Sequence, residues 1–373
     1  MKFRRRTWAI VGAVVLAAAV AVIGPGCSAL RAGHVLGDAL GPASALAGRV
    51  VESEERAPHR GTSVRVRLAV PADGGAGPWP AILLVHGAAQ GGPDDARMVA
   101  LQRSLAANGF AAGSIDLAGL AEFRMDAEDP ARVASAAAWL ASRADVAEDG
   151  RVALLGISVG GAYTLLAAAD PALDGKVPAV LAFGSYADLE ALLLTWMTTA
   201  SAGAEGMLDP HTEGRRLVLV GNVDRLVPAE ERDAVAAAIR ATIDGRPVPR
   251  TTGLSPAAER VVRAAESSRP LGRADAEALL ASMSADLRSL SPSHAASVPR
   301  ARVFLLHATN DPVVPASQLE VLRDELASRG VDVEAHLTDL FGHVDATDGE
   351  SPGFFEAWPL LSFVGGFLDA AED

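Results

Sequence analysis

The segment Arg151–Gly161, RVALLGISVGG, contains the pattern Gly-x-Ser-x-Gly over Gly156–Gly160. A continuous apolar run ends at Ile157 and is typical of a buried parallel strand, while the pattern from Val159 onward is typical of a helix. A serine on a tight turn between such elements projects its hydroxyl above the sheet, and glycines let the strand and the helix approach closely. The segment therefore predicts Ser158 as a nucleophile, the alternative being a serine that only caps an ordinary helix.

Strands and helices alternate on both sides of this segment. Pro80–Val85 is a second continuous apolar run, and Ser63–Ala69 alternates apolar and polar residues as an edge strand does. The other predicted elements of this kind are the helices Ala96–Asn108, Pro130–Arg143, Ser317–Ser328 and 352–370 and the strands Phe110–Ile115, Ala179–Phe183, Arg302–Leu306 and Val331–Leu337. This alternation predicts an α/β protein with a mostly parallel, doubly wound sheet, whose core comprises residues 61–186 and 299–373.

Residues 187–298 interrupt the alternation and are expected to form an inserted helical cap. Helical patterns cover Pro228–Ile243, Ser255–Ser267 and Arg273–Leu287, whereas Arg216–Val220 resembles a strand. The apolar stretch Leu192–Met197 is expected to be core of the cap, with an acyl-binding pocket as the alternative.

A glycine-rich turn, His86–Gly92, follows the strand that ends at Val85. Such a turn can direct backbone N–H groups toward an oxyanion, and the predicted pair is the amides of Ala88 and Val159. His86 is expected to fix this turn by hydrogen bonding rather than to take part in the reaction.

Two polar turns near the end of the chain supply the partners that a serine nucleophile needs. Asp311 follows the strand Arg302–Leu306, and His343 follows the last predicted strand. A histidine takes the serine proton, and an aspartate fixes the imidazole tautomer and stabilises its charged form. Asp224 is a rival acid, because Leu217–Pro228 repeats the form of the Asp311 segment. We favour Asp311, since the following helix and strand place it and His343 on neighbouring loops at the carboxyl edge of the sheet.

The order Ser158, Asp311, His343, together with the turn His86–Gly92, resembles the α/β-hydrolase superfamily, and most of all its dienelactone-hydrolase-like branch of esterases and peptidases. The resemblance covers residue 63 to the C-terminus without the cap. It implies an α/β-hydrolase fold, a Ser-His-Asp triad and no metal or organic cofactor. Dienelactone hydrolases proper use a cysteine nucleophile, whereas position 158 is serine, which favours a serine esterase.

These features predict a serine hydrolase that cleaves carboxylic esters through an acyl-enzyme intermediate. A peptidase or an acyltransferase could use the same triad. A catalytically silent hydrolase fold that serves in binding is the alternative from another class of protein. The partner is expected to be a small-molecule ester or acyl compound, whose identity depends on the pocket that the cap helps to form.

The composition narrows the range of partners. The chain has 373 residues, is 50% hydrophobic and carries a formal net charge of -13. It can bury a large core, but it lacks the basic excess that nucleic-acid binding requires. It has one cysteine, Cys27, and no His-Glu-x-x-His sequence, so we expect no metal site.

The start of the chain is predicted to be a targeting segment. A basic cluster precedes an uncharged apolar run over 7–23, so residues 1–26 are predicted to be a signal peptide or a membrane anchor. Gly26 precedes Cys27 as at the end of a bacterial lipoprotein signal, which makes Cys27 a candidate for lipidation. Residues 27–60 are predicted to be a tether, and the catalytic domain is expected outside the cytoplasm, attached to the membrane of the cell envelope.

Overall fold

The computed structural model describes residues 27–40, 46, 48–72, 77–200, 209–249, 252–341, 343 and 354–373. Eight strands form one sheet in the order β1-β2-β4-β3-β5-β6-β7-β8. β1 and β2 run antiparallel to their neighbours, and all other neighbouring pairs are parallel. The strands are β1 (Val50–His59), β2 (Thr62–Pro71), β3 (Ala81–Val85), β4 (Ala111–Ile115), β5 (Ala153–Ile157), β6 (Ala179–Phe183), β7 (Arg302–Ala308) and β8 (Val333–Thr338).

Helices cover both faces of this sheet. The core helices are α1 (residues 27–40), α2 (Ala96–Ala107), α3 (Ala118–Ala121), α4 (Asp129–Ala141), α5 (Val159–Ala168), α13 (Ser317–Ser328) and α14 (Phe354–Glu372). Alternate residues of β3 enter different hydrophobic clusters, with Leu83 beside α4 and α5 and Leu84 beside α1, α2 and α14. This alternation is the consequence of the two-residue period of a strand, and it confirms the predicted doubly wound, mostly parallel sheet.

The predicted tether over 27–60 is wrong for the described residues. α1 buries Ala29, Ala32 and Val35 in the core, and β1 pairs along its whole length with β2. Ser63–Ala69 therefore lies in the second strand rather than at the edge. The sequence VVESEERAPH of β1 has no apolar periodicity, because most of its residues are exposed and its carboxylates pair with arginines of β2.

Between β6 and β7 the chain is helical where the structure describes it, which confirms the predicted cap. Its helices are α6 (Leu189–Thr198), α7 (Pro210–Gly221), α8 (Val223–Leu226), α9 (Arg232–Ile243), α10 (Pro256–Glu266), α11 (Arg273–Leu280) and α12 (Ser284–Ser289). The predicted strand Arg216–Val220 is wrong, because these residues lie within α7. A short apolar run does not distinguish a strand from a buried helix, and here Asp209 caps the helix and Pro210 occupies its first turn. The exact limits of core and cap stay a prediction.

Candidate active site

Ser158 lies on a strained turn between β5 and α5. Its backbone has φ 54° and ψ −121°, a conformation that residues other than glycine rarely adopt. The turn is tight, because a Cβ atom on Gly156 would lie 2.2 Å from the carbonyl oxygen of Gly160, and one on Gly160 would lie 2.4 Å from that of Val85. Both glycines are therefore required by the close approach of strand and helix, as the Gly-x-Ser-x-Gly pattern predicts.

A chain of hydrogen bonds joins the three residues that the sequence singles out. The Oγ of Ser158 lies 3.0 Å from Nε2 of His343, and Nδ1 of His343 lies 2.6 Å from Oδ2 of Asp311. A carboxylate can only accept at Nδ1, so this network assigns the proton to Nδ1 and leaves Nε2 free to accept from the serine hydroxyl. The arrangement is the one in which an imidazole can act as a general base toward a serine.

Asp311 is held rigidly and kept ionised. Its Oδ1 accepts hydrogen bonds from the backbone N–H groups of Val313 and Val314, each at 2.8 Å. The Nε2 of His307 lies 3.3 Å from Oδ2, and both side chains are inaccessible to solvent. Burial opposes the charge, but the hydrogen bonds from His307 and His343 outweigh burial and lower the pKa of Asp311 to about 2. The carboxylate therefore stays charged at neutral pH.

The supporting role of His307 is not recognisable from the sequence. Its Nε2 also lies 2.9 Å from the carbonyl oxygen of Val314, so this ring ties the strand end to the turn that carries Asp311. The only signal is its position, four residues before the acid at the end of an apolar strand. Many buried histidines share such a position, so the pattern alone carries no assignment.

The glycine-rich turn His86–Gly92 lies directly beside the nucleophile. A Cβ atom on Gly87 would lie 3.2 Å from that of Ser158. Ala88 lines the same cavity, and Val159 is the first residue of α5, where a backbone N–H has no partner within the helix. These are the two amides that the sequence predicts as oxyanion donors.

His86 has the structural environment that the sequence predicts. The ring is buried, its Nδ1 donates to the carbonyl oxygen of Gly87 at 2.8 Å, and its Nε2 accepts from the N–H of Leu117 at 3.1 Å. Burial lowers the pKa of His86, which is consistent with a neutral ring that donates at one nitrogen and accepts at the other. The ring thereby fixes the turn against the loop that follows β4.

Ser158 and His343 line a cavity of about 450 Å³ between the sheet and the cap. Leu192, Leu193 and Trp196 of α6 contribute to its wall, so this stretch is both core of the cap and lining of the pocket. The indole of Trp196 donates a hydrogen bond of 2.7 Å to the carbonyl oxygen of Val313, two residues after Asp311. The cap is thus connected to the loop that holds the acid, and it supplies an apolar surface for a substrate.

The rival acid Asp224 does not contact His343. It lies on α8 and forms an ion pair of 2.8 Å with Arg124, with both side chains partly exposed. The carboxylate at the imidazole is that of Asp311. The resemblance between the two segments ends at their conformation, because the residues before Asp224 form a helix, whereas those before Asp311 form a strand.

The segment that contains Asp224 fastens the cap to the core. The buried side chain of Asn222 donates to the carbonyl oxygen of Phe123 at 3.0 Å and accepts from the N–H of Met125 at 3.1 Å. Phe123 has φ 61°, and a Cβ atom on Gly221 would lie 2.5 Å from the neighbouring carbonyl oxygen of Glu122. Phe123 and Met125 both line the catalytic cavity, so this contact positions part of its wall.

We therefore expect Asn222→Ala to destabilise the protein by about 2 to 4 kcal/mol, because it leaves two buried backbone groups without partners. Asp224→Ala is the matched control from the same segment, and it should cost about 1 kcal/mol or less, since a partly exposed ion pair contributes little. Denaturant unfolding of the two variants measures both effects. Equal stability of Asn222→Ala and the original protein would contradict this role.

Other predicted features lie outside this site. Cys27 is exposed at the first described residue of α1, and residues 1–26 lie outside the described part of the chain. In the part that the structure describes, no cluster of three or more His, Cys, Asp or Glu side chains is arranged to hold a metal ion. Within those same residues, no helix is both long and apolar enough to cross a membrane.

Comparison with known proteins agrees with this geometry. Residues 60–337 match the sequence model of the family described as X-Pro dipeptidyl-peptidase (S15 family). No curated protein matches the chain significantly. A solved Pyrococcus furiosus esterase has a TM-score of 0.50 at 12% identity, and the alignment covers 89% of this chain and 95% of the esterase. At such identity the likeness shows the fold alone, and it confirms the predicted α/β-hydrolase fold.

Two further structures are similar at lower TM-scores. A thermostable esterase from Pseudomonas putida has a TM-score of 0.47 at 16% identity, with 94% of this chain and 90% of the esterase covered. A Pyrococcus horikoshii acylaminoacyl peptidase has a TM-score of 0.45 at 14% identity, with 79% of this chain and 38% of the peptidase covered. Membership of the dienelactone-hydrolase-like branch stays a prediction.

Proposed function

Because the chain belongs to the X-Pro dipeptidyl-peptidase (S15) family and is a serine hydrolase of the α/β-hydrolase fold, we propose that it cleaves carboxylic esters through an acyl-enzyme intermediate. One observation carries this proposal: the hydrogen-bonded chain from Asp311 through His343 to Ser158 opens on an apolar cavity. Ser158 is the proposed nucleophile, His343 the proposed general base and acid, and Asp311 the residue that orients the imidazole.

In the first half of the reaction, the Oγ of Ser158 attacks the ester carbonyl carbon while Nε2 of His343 accepts the hydroxyl proton. The carbonyl oxygen becomes an oxyanion and accepts hydrogen bonds from the amides of Ala88 and Val159. His343 then donates its proton to the departing alkoxide, the alcohol leaves, and the acyl group stays on Ser158.

In the second half, water takes the place of the alcohol. Nε2 of His343 removes a proton from this water, whose oxygen attacks the acyl carbon and regenerates the oxyanion. The intermediate collapses, the carboxylic acid leaves, and Ser158 regains its proton from His343. Asp311, ionised and hydrogen-bonded to Nδ1, stabilises the imidazolium in both halves.

A peptidase is the second candidate, and the family match favours it. Most of the described cavity wall is apolar, which suits an uncharged acyl group. Two charged side chains of this wall, Asp95 and Arg97, form an ion pair with each other. Glu213 of α7 also lines the cavity and offers a carboxylate to the ammonium group of a peptide N-terminus. We favour esters because the surface around Ser158 and His343 is mainly hydrocarbon.

A paired substrate panel tests this choice. We expect p-nitrophenyl esters to be hydrolysed with kcat/KM at least 100-fold above that for aminoacyl and X-Pro dipeptidyl p-nitroanilides. The reverse ranking would identify a peptidase. Faster release of p-nitrophenol with added alcohol, with transfer of the acyl group to it, would identify an acyltransferase, and a folded protein with no turnover on any substrate would identify a binding protein.

We also propose that the enzyme is exported and that a lipid on Cys27 attaches it to the membrane. This proposal is supported by the basic and apolar pattern of residues 1–26 and by the exposure of Cys27 at the start of α1. A diacylated cysteine buries many methylenes at about 0.8 kcal/mol each, which is enough for stable attachment.

We expect the protein to fractionate with membranes and Cys27→Ser to move into the soluble fraction. His34→Ser, an exposed position on the same helix, is the matched control and should stay with the membranes. Immunodetection after ultracentrifugation measures the distribution. Unchanged membrane attachment of Cys27→Ser would exclude the lipid and favour an uncleaved apolar helix as the anchor.

A further inference from the structure

A further cavity, of about 190 Å³, lies on the face of the sheet that α1, α2 and α14 cover. We call it the distal cavity. It is enclosed by α1, α2, α14 and the carboxyl ends of β5, β6 and β7. Its lining includes Leu36, Ala39, Leu101, Phe183, Phe341 and Val364.

The distal cavity adjoins the catalytic cavity. Ile157 and Arg97 line both of them, and Ile157 is the residue directly before Ser158. Phe341, which lines the distal cavity, is two residues before His343 and packs edge-on against Phe183 at 5.2 Å between ring centroids. The two cavities therefore share a wall next to the catalytic residues.

The walls of the distal cavity accept only an apolar group. Arg97 is the one charged side chain among the described residues that line it, and its guanidinium is paired with Asp95 at 3.0 Å. Ile157 and Phe183 end strands whose other residues are fully buried, yet both keep accessible surface. Covering such apolar surface with hydrocarbon removes it from water, which lowers the free energy and favours binding.

From this shared wall and the apolar lining we infer that the distal cavity binds the far end of a long acyl chain of the ester substrate, an inference that rests on the proposed function and narrows its substrate class. An apolar cavity of about 150 Å³ holds one benzene molecule, so the distal cavity holds a segment of about six to eight carbon atoms. Since the carbonyl carbon lies at Ser158, outside this cavity, the preferred acyl chain has more carbons than this segment, on the order of ten.

Binding of dodecanoate, measured by calorimetry, tests the distal cavity without turnover. Each methylene buried should raise affinity roughly fourfold, so dodecanoate should bind far more tightly than hexanoate. Ala39→Trp and Leu36→Trp fill the cavity from α1 and should weaken dodecanoate binding at least tenfold. His34→Trp, exposed on the same helix and not part of the lining, is the control and should bind as the original protein does.

A chain-length series of p-nitrophenyl esters gives the kinetic counterpart. The ratio of kcat/KM for the dodecanoate to that for the butyrate should fall at least tenfold in both filled variants and less than twofold in His34→Trp. Equal ratios and equal dodecanoate affinity in folded filled variants would overturn the inference. If the original protein binds dodecanoate but hydrolyses none of these esters, the proposed function is contradicted and the cavity remains a binding site for apolar chains.

Discussion

Replacing Ser158 with alanine is expected to lower ester turnover by about 10⁵-fold or more, because no other group can then form the acyl-enzyme. The residual rate would come from the oxyanion amides and from binding alone. The backbone of Ser158 is strained, and its N–H donates a hydrogen bond to the carbonyl oxygen of Phe183 at 2.7 Å. Alanine keeps this bond, so the stability of the variant should change little.

Steady-state hydrolysis of a p-nitrophenyl ester measures this loss, and the unfolding transition of the variant shows that it is folded. Ser142→Ala, at an exposed serine beyond the end of α4, is the matched control and should retain full turnover. Turnover of Ser158→Ala within tenfold of the original protein would exclude Ser158 as the nucleophile.

Asp311→Asn is expected to lower turnover by up to about 10⁴-fold through the histidine tautomer. An asparagine oxygen can still accept from the amides of Val313 and Val314, which turns the side-chain NH2 toward Nδ1 of His343. That donor favours the tautomer with its proton on Nε2, which cannot accept the proton of Ser158. The loop should therefore keep its conformation while the base is lost.

Asp224→Asn provides the comparison for this prediction, since the two carboxylates occupy similar sequence contexts. It removes only the charge partner of Arg124 and should change turnover less than tenfold. Kinetics on both variants, with circular dichroism as the check on folding, give the ranking. A larger loss in Asp224→Asn than in Asp311→Asn would reassign the acid.

The parts of the fold that the sequence predicts correctly are those with an unambiguous period. Val152–Ile157 has no polar side chain because β5 is buried between helices on both faces. Ser317–Ser328 has the bounds of α13 because its apolar residues recur at helical spacing. β1 is missed because its stability comes from backbone pairing with β2, whereas its own residues are mostly exposed and show no apolar period. Leu217–Val220 is assigned to the wrong element because four apolar residues fit either one.

The candidate site follows the same division. The sequence predicts which loops meet, because the carboxyl ends of neighbouring parallel strands lie at one edge, and the structure brings Ser158, Asp311 and His343 together there. It does not predict His307, whose contacts depend on how the loop after β7 folds back on the strand, or Asn222, whose partners lie far away in the chain. The lining of both cavities depends on packing between distant segments, so the sequence does not predict the shape of the pocket.

Labelling with a fluorophosphonate, followed by peptide mapping by mass spectrometry, tests whether Ser158 is the activated nucleophile. The reagent phosphonylates a serine that is activated by a neighbouring imidazole and placed beside an oxyanion site. We expect one label per chain, on Ser158, and none on Ser158→Ala. A folded protein that stays unlabelled, or that carries the label on another residue, would contradict it.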